Sequence, residues 1–142
     1  MRINNGVFMS DSIRRFTPDA EYFFEEGCFI NELSNRAYDP QASIAQARVQ
    51  PGDTTRWHSL AGTTERYVIL QGEGVVEVGD EPARKVAAGD VVIIAPGERQ
   101  RIHNPAAAHS SGAFHNPGEG DLIFLAICTP RFVPEAYQDL ED

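Results

Sequence analysis

Between residues 55 and 128 the chain is cut into short apolar runs by glycine and proline at even intervals, with no helix-length segment among them. Residues 55–60, 66–70, 75–78, 84–86, 91–94, 99–103 and 122–128 read as strands. Gly72-Glu73-Gly74, Gly79-Asp80 and Ala88-Gly89-Asp90 read as the turns that join them. Residues 21–24, 28–33 and 43–49 are earlier strands, and 35–41 is a polar loop that contains Asp39-Pro40. Short strands that follow one another without helices close into a sandwich or barrel, so the predicted class is all-β. Residues 134–140 are predicted to form one short C-terminal helix. Residues 1–19, polar and weakly patterned, are predicted to be mobile or to drape over a neighbour.

At 142 residues the chain is one domain, long enough to bury a core without disulfides or structural metal. Cys28 and Cys128 have no CxxC spacing and read as unpaired buried thiols. The net charge of −9 and the absence of a large Lys/Arg cluster exclude a phosphate-binding surface, and nucleic acid with it. No apolar run approaches the roughly 20 residues of a membrane span, and the N-terminus has no long apolar core of the signal-peptide kind. The expected location is the cytoplasm, with neither nucleic acid nor membrane as partner.

Two runs, Tyr67-Val68-Ile69-Leu70 and Val91-Val92-Ile93-Ile94, are apolar at every position. A strand with one wet face alternates, so both faces of these strands require a cover. The barrel interior covers one. The N-terminal strands and a second copy of the chain cover the other, which predicts a homodimer.

Two overlapping patterns carry the finer information. The first is Gly52-x5-His58-x-Leu60-x4-Glu65-x6-Gly72; the second, Gly89-x5-Ala95-Pro96-Gly97-x2-Gln100-x3-Asn104, begins 17 residues after Gly72. Together they resemble the paired motifs of the cupin superfamily, in the form seen in small single-domain bacterial cupins. The resemblance implies a double-stranded β-helix, a jelly-roll barrel, over residues 43–128, preceded by N-terminal strands at 20–33. The family pattern has histidine where this chain has Leu60 and Gln100, so the metal motif is degenerate.

Strand parity sorts the side chains. Arg56, His58 and Leu60 share one face; Glu65 shares a face with Tyr67 and Ile69; and Gln100 shares one with Ile102 and Asn104, opposite His103. If the resemblance holds, the face of His58, Glu65 and Gln100 looks into the barrel and brings Arg56 and Tyr67 with it. The resemblance implies that His58, Glu65 and Gln100 are metal ligands. Imidazole, carboxylate and amide oxygen suit Fe, Mn, Ni or Zn, with open positions for substrate. Leu60 removes a ligand, so the ion is weakly bound or absent. Without metal, His58 and Glu65 hydrogen-bond each other and retain acid–base capacity. Arg56, Tyr67 and Glu65 are the candidate catalytic residues, Arg56 and Tyr67 to orient or polarise a carbonyl or carboxylate.

Residues 104–120 exceed a normal strand connection and repeat His103-Asn104-Pro105 as His115-Asn116-Pro117. They read as a surface insertion, or as a lid with Phe114 as plug and His109 or His115 as substitute ligands. The implied function is a small-molecule-transforming enzyme: a metal-assisted cyclase, isomerase, lyase or dioxygenase acting on an oxygenated organic substrate, as in polyketide cyclases. The alternatives are a metal-free ligand-binding module and a structural cupin.

Overall fold

Alternating burial shows where the core lies. In the strand Leu122–Thr129 each residue from Leu122 to Cys128 on one parity is buried and each on the other is half-exposed, so one face packs inward. The computed structural model describes residues 2–4, 7–9, 12–108 and 119–141, the first two stretches by backbone alone. In chain order the strands are β1 (Arg2–Asn4), β2 (Val7–Met9), β3 (Tyr22–Phe24), β4 (Cys28–Ser34), β5 (Ser43–Val49), β6 (His58–Leu60) and β7 (Thr64–Gln71). They continue as β8 (Glu73–Val78), β9 (Arg84–Ala87), β10 (Val91–Ile94), β11 (Gln100–His103), β12 (Leu122–Thr129) and β13 (Tyr137–Asp139).

Two antiparallel sheets form the barrel among the described residues: β10-β7-β12-β5-β4-β3, and β13-β6-β11-β8-β9; β1 and β2 pair separately. Their inner faces meet in one core that includes Val49, Ile69, Val76, Ile94, Ile102, Leu122 and Phe124. Sequence neighbours such as β7 and β8 lie in different sheets, the crossing pattern of a jelly roll. The chain passes between them at Gly72, whose φ of +81° suits glycine and where a Cβ would stand 2.7 Å from the Asp121 carbonyl oxygen.

The C-terminus corrects the sequence expectation. Residues 134–140 form no α-helix: Pro134–Ala136 make a single 3-10 turn and β13 follows, pairing Tyr137 with Leu60 and Asp139 with His58. The open edge of β6 offered backbone partners that a helix of seven residues could not match. The described part of the N-terminal segment is largely exposed, but Asn31 Nδ2 donates to the Thr17 carbonyl at 2.9 Å and Arg48 grips Glu21 at 2.6 and 3.0 Å, tying it to the six-stranded sheet. At the base of the insertion, buried Asn104 donates to the Val49 and Gly120 carbonyls, both at 2.9 Å. Phe114, His109 and His115, the candidates for a lid, lie outside the described residues.

At its β10–β7 edge the outer face of the six-stranded sheet is apolar and exposed. Ile93 is 67% exposed, Val91 55% and Leu70 46%, while their neighbours Val92, Ile94 and Ile69 are buried. The inward parity of both doubly apolar runs is thus covered by the barrel, and among the described residues Leu70, Val91 and Ile93 on the outward parity remain exposed.

Candidate functional site

The register of the strands assembles a polar cluster inside an apolar barrel. Gln100 on β11 stands opposite His58 on β6, and Glu65 on β7 stands opposite Cys128 on β12. His58, Glu65 and Gln100 are all buried, Gln100 completely. Buried polar groups must find partners, and these do. Gln100 Nε2 donates to Glu65 Oε1 at 2.8 Å, and the Tyr67 hydroxyl donates to Gln100 Oε1. Tyr67 packs its ring on Phe124, with centroids 4.3 Å apart. The amide is held at both ends: its carbonyl faces Tyr67 and its NH2 faces Glu65.

His58 has a partner that the sequence did not reveal. Its Nε2 is 2.6 Å from Glu26 Oε1, and its Nδ1 is 2.6 Å from the Arg56 carbonyl oxygen. Glu26 sits in the β3–β4 turn, where Gly27 at φ +103° turns the chain and the Arg56 amide donates to the Glu26 carbonyl at 2.8 Å. That turn reads in the sequence as a solvated Glu25-Glu26-Gly27 connector.

Burial alone would push His58 down, but the charge of Glu26, its hydrogen bond and the Arg56 carbonyl outweigh it and raise the imidazole to about 9. At neutral pH His58 is therefore an imidazolium with both N–H groups donated. Burial likewise opposes ionisation of Glu26, yet the charge and hydrogen bond of His58, together with the Cys28 thiol at 3.1 Å, lower it below the ordinary carboxylate value. Glu65 moves the other way. Burial and then the negative charge of Glu26 raise it to about 7, against the opposing hydrogen bond from Gln100. Burial also raises both thiols, Cys28 and Cys128, and the Tyr67 phenol, so none of the three ionises near neutrality.

A cavity of about 570 Å³, open mouth included, reaches this cluster. Glu26, His58, Leu60 and Glu65 form its buried floor, and Tyr22, Glu32, Ile44 and Phe132 its more exposed rim. Tyr137 lies over the floor, stacked on His58 with centroids 5.4 Å apart and planes at 22°. The sequence missed Tyr137 because its segment read as helix.

Arg56 stands elsewhere. Its guanidinium turns outward to Asp139, 3.0 Å away on β13, and only its backbone carbonyl meets His58. Thr54–Trp57 precede β6 rather than continuing it, so alternation counted from His58 does not extend to Arg56. The added strand β13 also supplies a carboxylate on the outside. His103 faces away from the cavity and shares a hydrogen bond of 2.7 Å with Thr54.

The Cupin_2 cupin-domain model matches residues 45–111, which span β5 to β11. The chain carries a cupin domain. An uncharacterized conserved protein with a double-stranded β-helix domain from Klebsiella pneumoniae superposes with a TM-score of 0.67 at 14% identity, covering 92% of this chain and 100% of that one. Pac13, a nucleoside dehydratase known from Streptomyces, gives a TM-score of 0.67 at 14% identity, with 92% of each chain covered. A Thermotoga maritima protein described as a predicted oxalate decarboxylase gives 0.59 at 28% identity, over 72% of this chain and 80% of that one. No curated protein matches the sequence.

Cupins commonly bind divalent metals, but the donors of this cupin domain do not fit one. Both His58 nitrogens are committed to Glu26 and Arg56, the Gln100 carbonyl oxygen faces Tyr67, and the motif position after Ser59 is the apolar Leu60. Among the described residues no group of three His, Cys, Asp or Glu side chains has ligand geometry. Added Ni(II) or Zn(II) is accordingly expected to move the thermal midpoint by less than about 1 °C. An occupied site at a hundredfold excess over Kd would add about 2.7 kcal/mol, several degrees for a domain of this size. Differential scanning fluorimetry with and without metal checks this, and a shift of several degrees that vanishes in His58→Gln would contradict it.

Proposed function

We propose that the barrel performs metal-independent acid–base chemistry, of the lyase or isomerase type, on a small oxygenated organic molecule bound in the cavity. The observation that carries this reading is Glu65: a buried carboxyl, raised to about 7, on the pocket floor beside the Glu26–His58 pair. Such a group holds and releases a proton with similar ease at neutral pH, the condition for general acid–base work. Gln100 fixes the carboxyl in place and Tyr67 fixes Gln100, so these are positioning residues. After burial, the charge of Glu26 raises Glu65 and the charge of His58 opposes it. A nucleoside dehydratase and a predicted oxalate decarboxylase among the structural relatives are in keeping with small-molecule chemistry in this barrel. Two unpaired buried thiols fit a reducing compartment such as the cytoplasm.

The test is proton transfer itself. Purified protein, treated with chelator, is incubated in D2O with pools of small hydroxy and keto metabolites, and deuterium incorporation or loss of water is followed by NMR. Glu65→Gln should lower the rate about a hundredfold, within the usual range for a general acid–base residue, while chelator should change nothing. Turnover that disappears with chelator would overturn the reading. So would ligand retained in the barrel with no exchange in any pool; that result favours a binding module.

The working form is a homodimer that joins the open outer faces of two six-stranded sheets. Val91, Ile93 and Leu70 project there, each about half-exposed or more, beside an edge strand, β10, that a second copy can cover isologously. Ile93→Asp should convert the dimer to a monomer at micromolar concentration by light scattering. A wild-type monomer under the same conditions would exclude this assembly.

A further inference from the structure

The cavity lining has a charge that the chemistry of the floor does not explain. Glu26, Glu32 and Glu65 line it with one imidazole, His58, and no lysine or arginine is among the lining residues. The arginines nearby are engaged elsewhere: Arg56 with Asp139 outside, and Arg131 with Asn35 Oδ1 at 2.9 Å, while Asn35 Nδ2 holds Glu32 at 2.8 Å. An anionic ligand would enter past Glu32, with Glu65 beyond it and Glu26 already paired with His58. It would find a single imidazolium whose N–H groups are already donated to Glu26 and to the Arg56 carbonyl.

The walls add a second, independent feature. Tyr22, Phe24 and Tyr137 line the cavity as a continuous aromatic wall, edge-to-face at 6.5 Å between the first two and 5.2 Å between the last two. Aromatic faces attract cations, and this wall already does so, since Tyr137 stacks on His58. The Tyr137 hydroxyl is buried and has no hydrogen-bond partner among the described residues, an unusual state for a buried polar atom. A phenol oxygen in that position offers an acceptor to the N–H of a protonated amine, or a weak C–H contact to the methyl groups of a quaternary ammonium.

We infer that the cavity selects an organic cation: a small amine or quaternary ammonium compound whose charged end rests between Glu32 and the wall of Tyr22, Phe24 and Tyr137. This rests on the reading of the barrel as the reaction site and names the substrate class for it. The cationic end lies toward the rim and the oxygenated end toward Glu65, so charge recognition and proton transfer occupy opposite ends of one molecule.

Three probes of matched shape test the inference: choline, its neutral carbon isostere 3,3-dimethylbutan-1-ol, and the anion 3,3-dimethylbutanoate. Each is titrated into wild-type protein, and the Tyr22 and Tyr137 ring resonances are followed by NMR with Trp57, which does not line the cavity, as internal control. Choline should bind about tenfold more tightly than the alcohol, weaken with added salt, and leave the anion without measurable binding. Glu32→Gln, at the exposed rim, should weaken choline severalfold and narrow its advantage over the alcohol, and Tyr22→Ala should weaken both probes, choline more than the alcohol. Equal binding of alcohol and choline, or tighter binding of the anion, with the same rings perturbed, would overturn the charge selection while the cavity remains the ligand site. If none of the probes perturbs those rings, the inference falls together with the reading of the cavity as a substrate site.

Discussion

Replacing His58 with glutamine is expected to lower the unfolding free energy by about 3–5 kcal/mol, the usual cost of removing one member of a buried ion pair. The side chains of His58 and Glu26 retain only 2% and 13% of their exposure, and their charged atoms are 2.6 Å apart. Without the imidazolium, Glu26 must either stay ionised in an apolar floor or take up a proton, and both routes destabilise. Glu26→Gln should cost a similar amount, because it leaves His58 buried with a charge and no counter-charge. The double variant should recover much of the loss, since two neutral amides can hydrogen-bond where the two charges did. Urea denaturation of the four proteins completes the cycle. A loss of less than about 1 kcal/mol in both single variants would show that the pair contributes little and that solvent reaches the floor.

The pairing behind this expectation also marks how far the sequence was legible. Strand runs, turns and the two motifs located the barrel, because period-2 patterning and glycine punctuation report directly on a pleated, half-buried backbone. Parity and motif spacing brought His58, Glu65 and Gln100 to one place for the same reason. Three features of the site were not legible. Glu26 comes from a turn, where no periodicity indicates direction. Tyr137 comes from a strand that pairs with the edge of β6 that β11 leaves open, a tertiary cause that local propensity does not carry. Arg56 precedes the paired part of β6, where alternation no longer determines the face. Residue types at motif positions also do not reveal that Glu26 engages His58 Nε2 or that the Tyr67 hydroxyl donates to the Gln100 carbonyl oxygen.

Stability is expected to fall as pH rises from about 4.5 to 9, in two adjoining steps that belong to different residues. Glu65 moves from an ordinary 4.5 to about 7 in the folded protein. The folded state thus holds that proton more tightly than the unfolded chain, and the resulting stabilisation is complete below pH 4.5 and lost as pH rises through 7. His58 moves from 6.5 to about 9, so its contribution is complete below pH 6.5 and lost as pH rises through 9. At 1.36 kcal/mol per pKa unit each step is on the order of 3 kcal/mol, and the two are linked through Glu26, which faces both groups. Glu26 itself is lowered, so it stabilises above 4.5 and its contribution disappears as pH falls through its folded value, which bends the curve downward on the acid side. Denaturation midpoints taken at half-unit steps from pH 4 to 9.5 measure the whole profile. Glu65→Gln should flatten the lower step and leave the upper one, because the uncharged amide no longer titrates. His58→Gln should abolish the upper step, and with the imidazolium gone it should also move the lower step to higher pH, since one of the charges that favours an ionised Glu65 is removed. A profile that stays level between pH 5 and 9 in the wild-type protein would mean that neither group is held as the geometry indicates, and the proton-transfer role proposed for Glu65 would lose its physical basis.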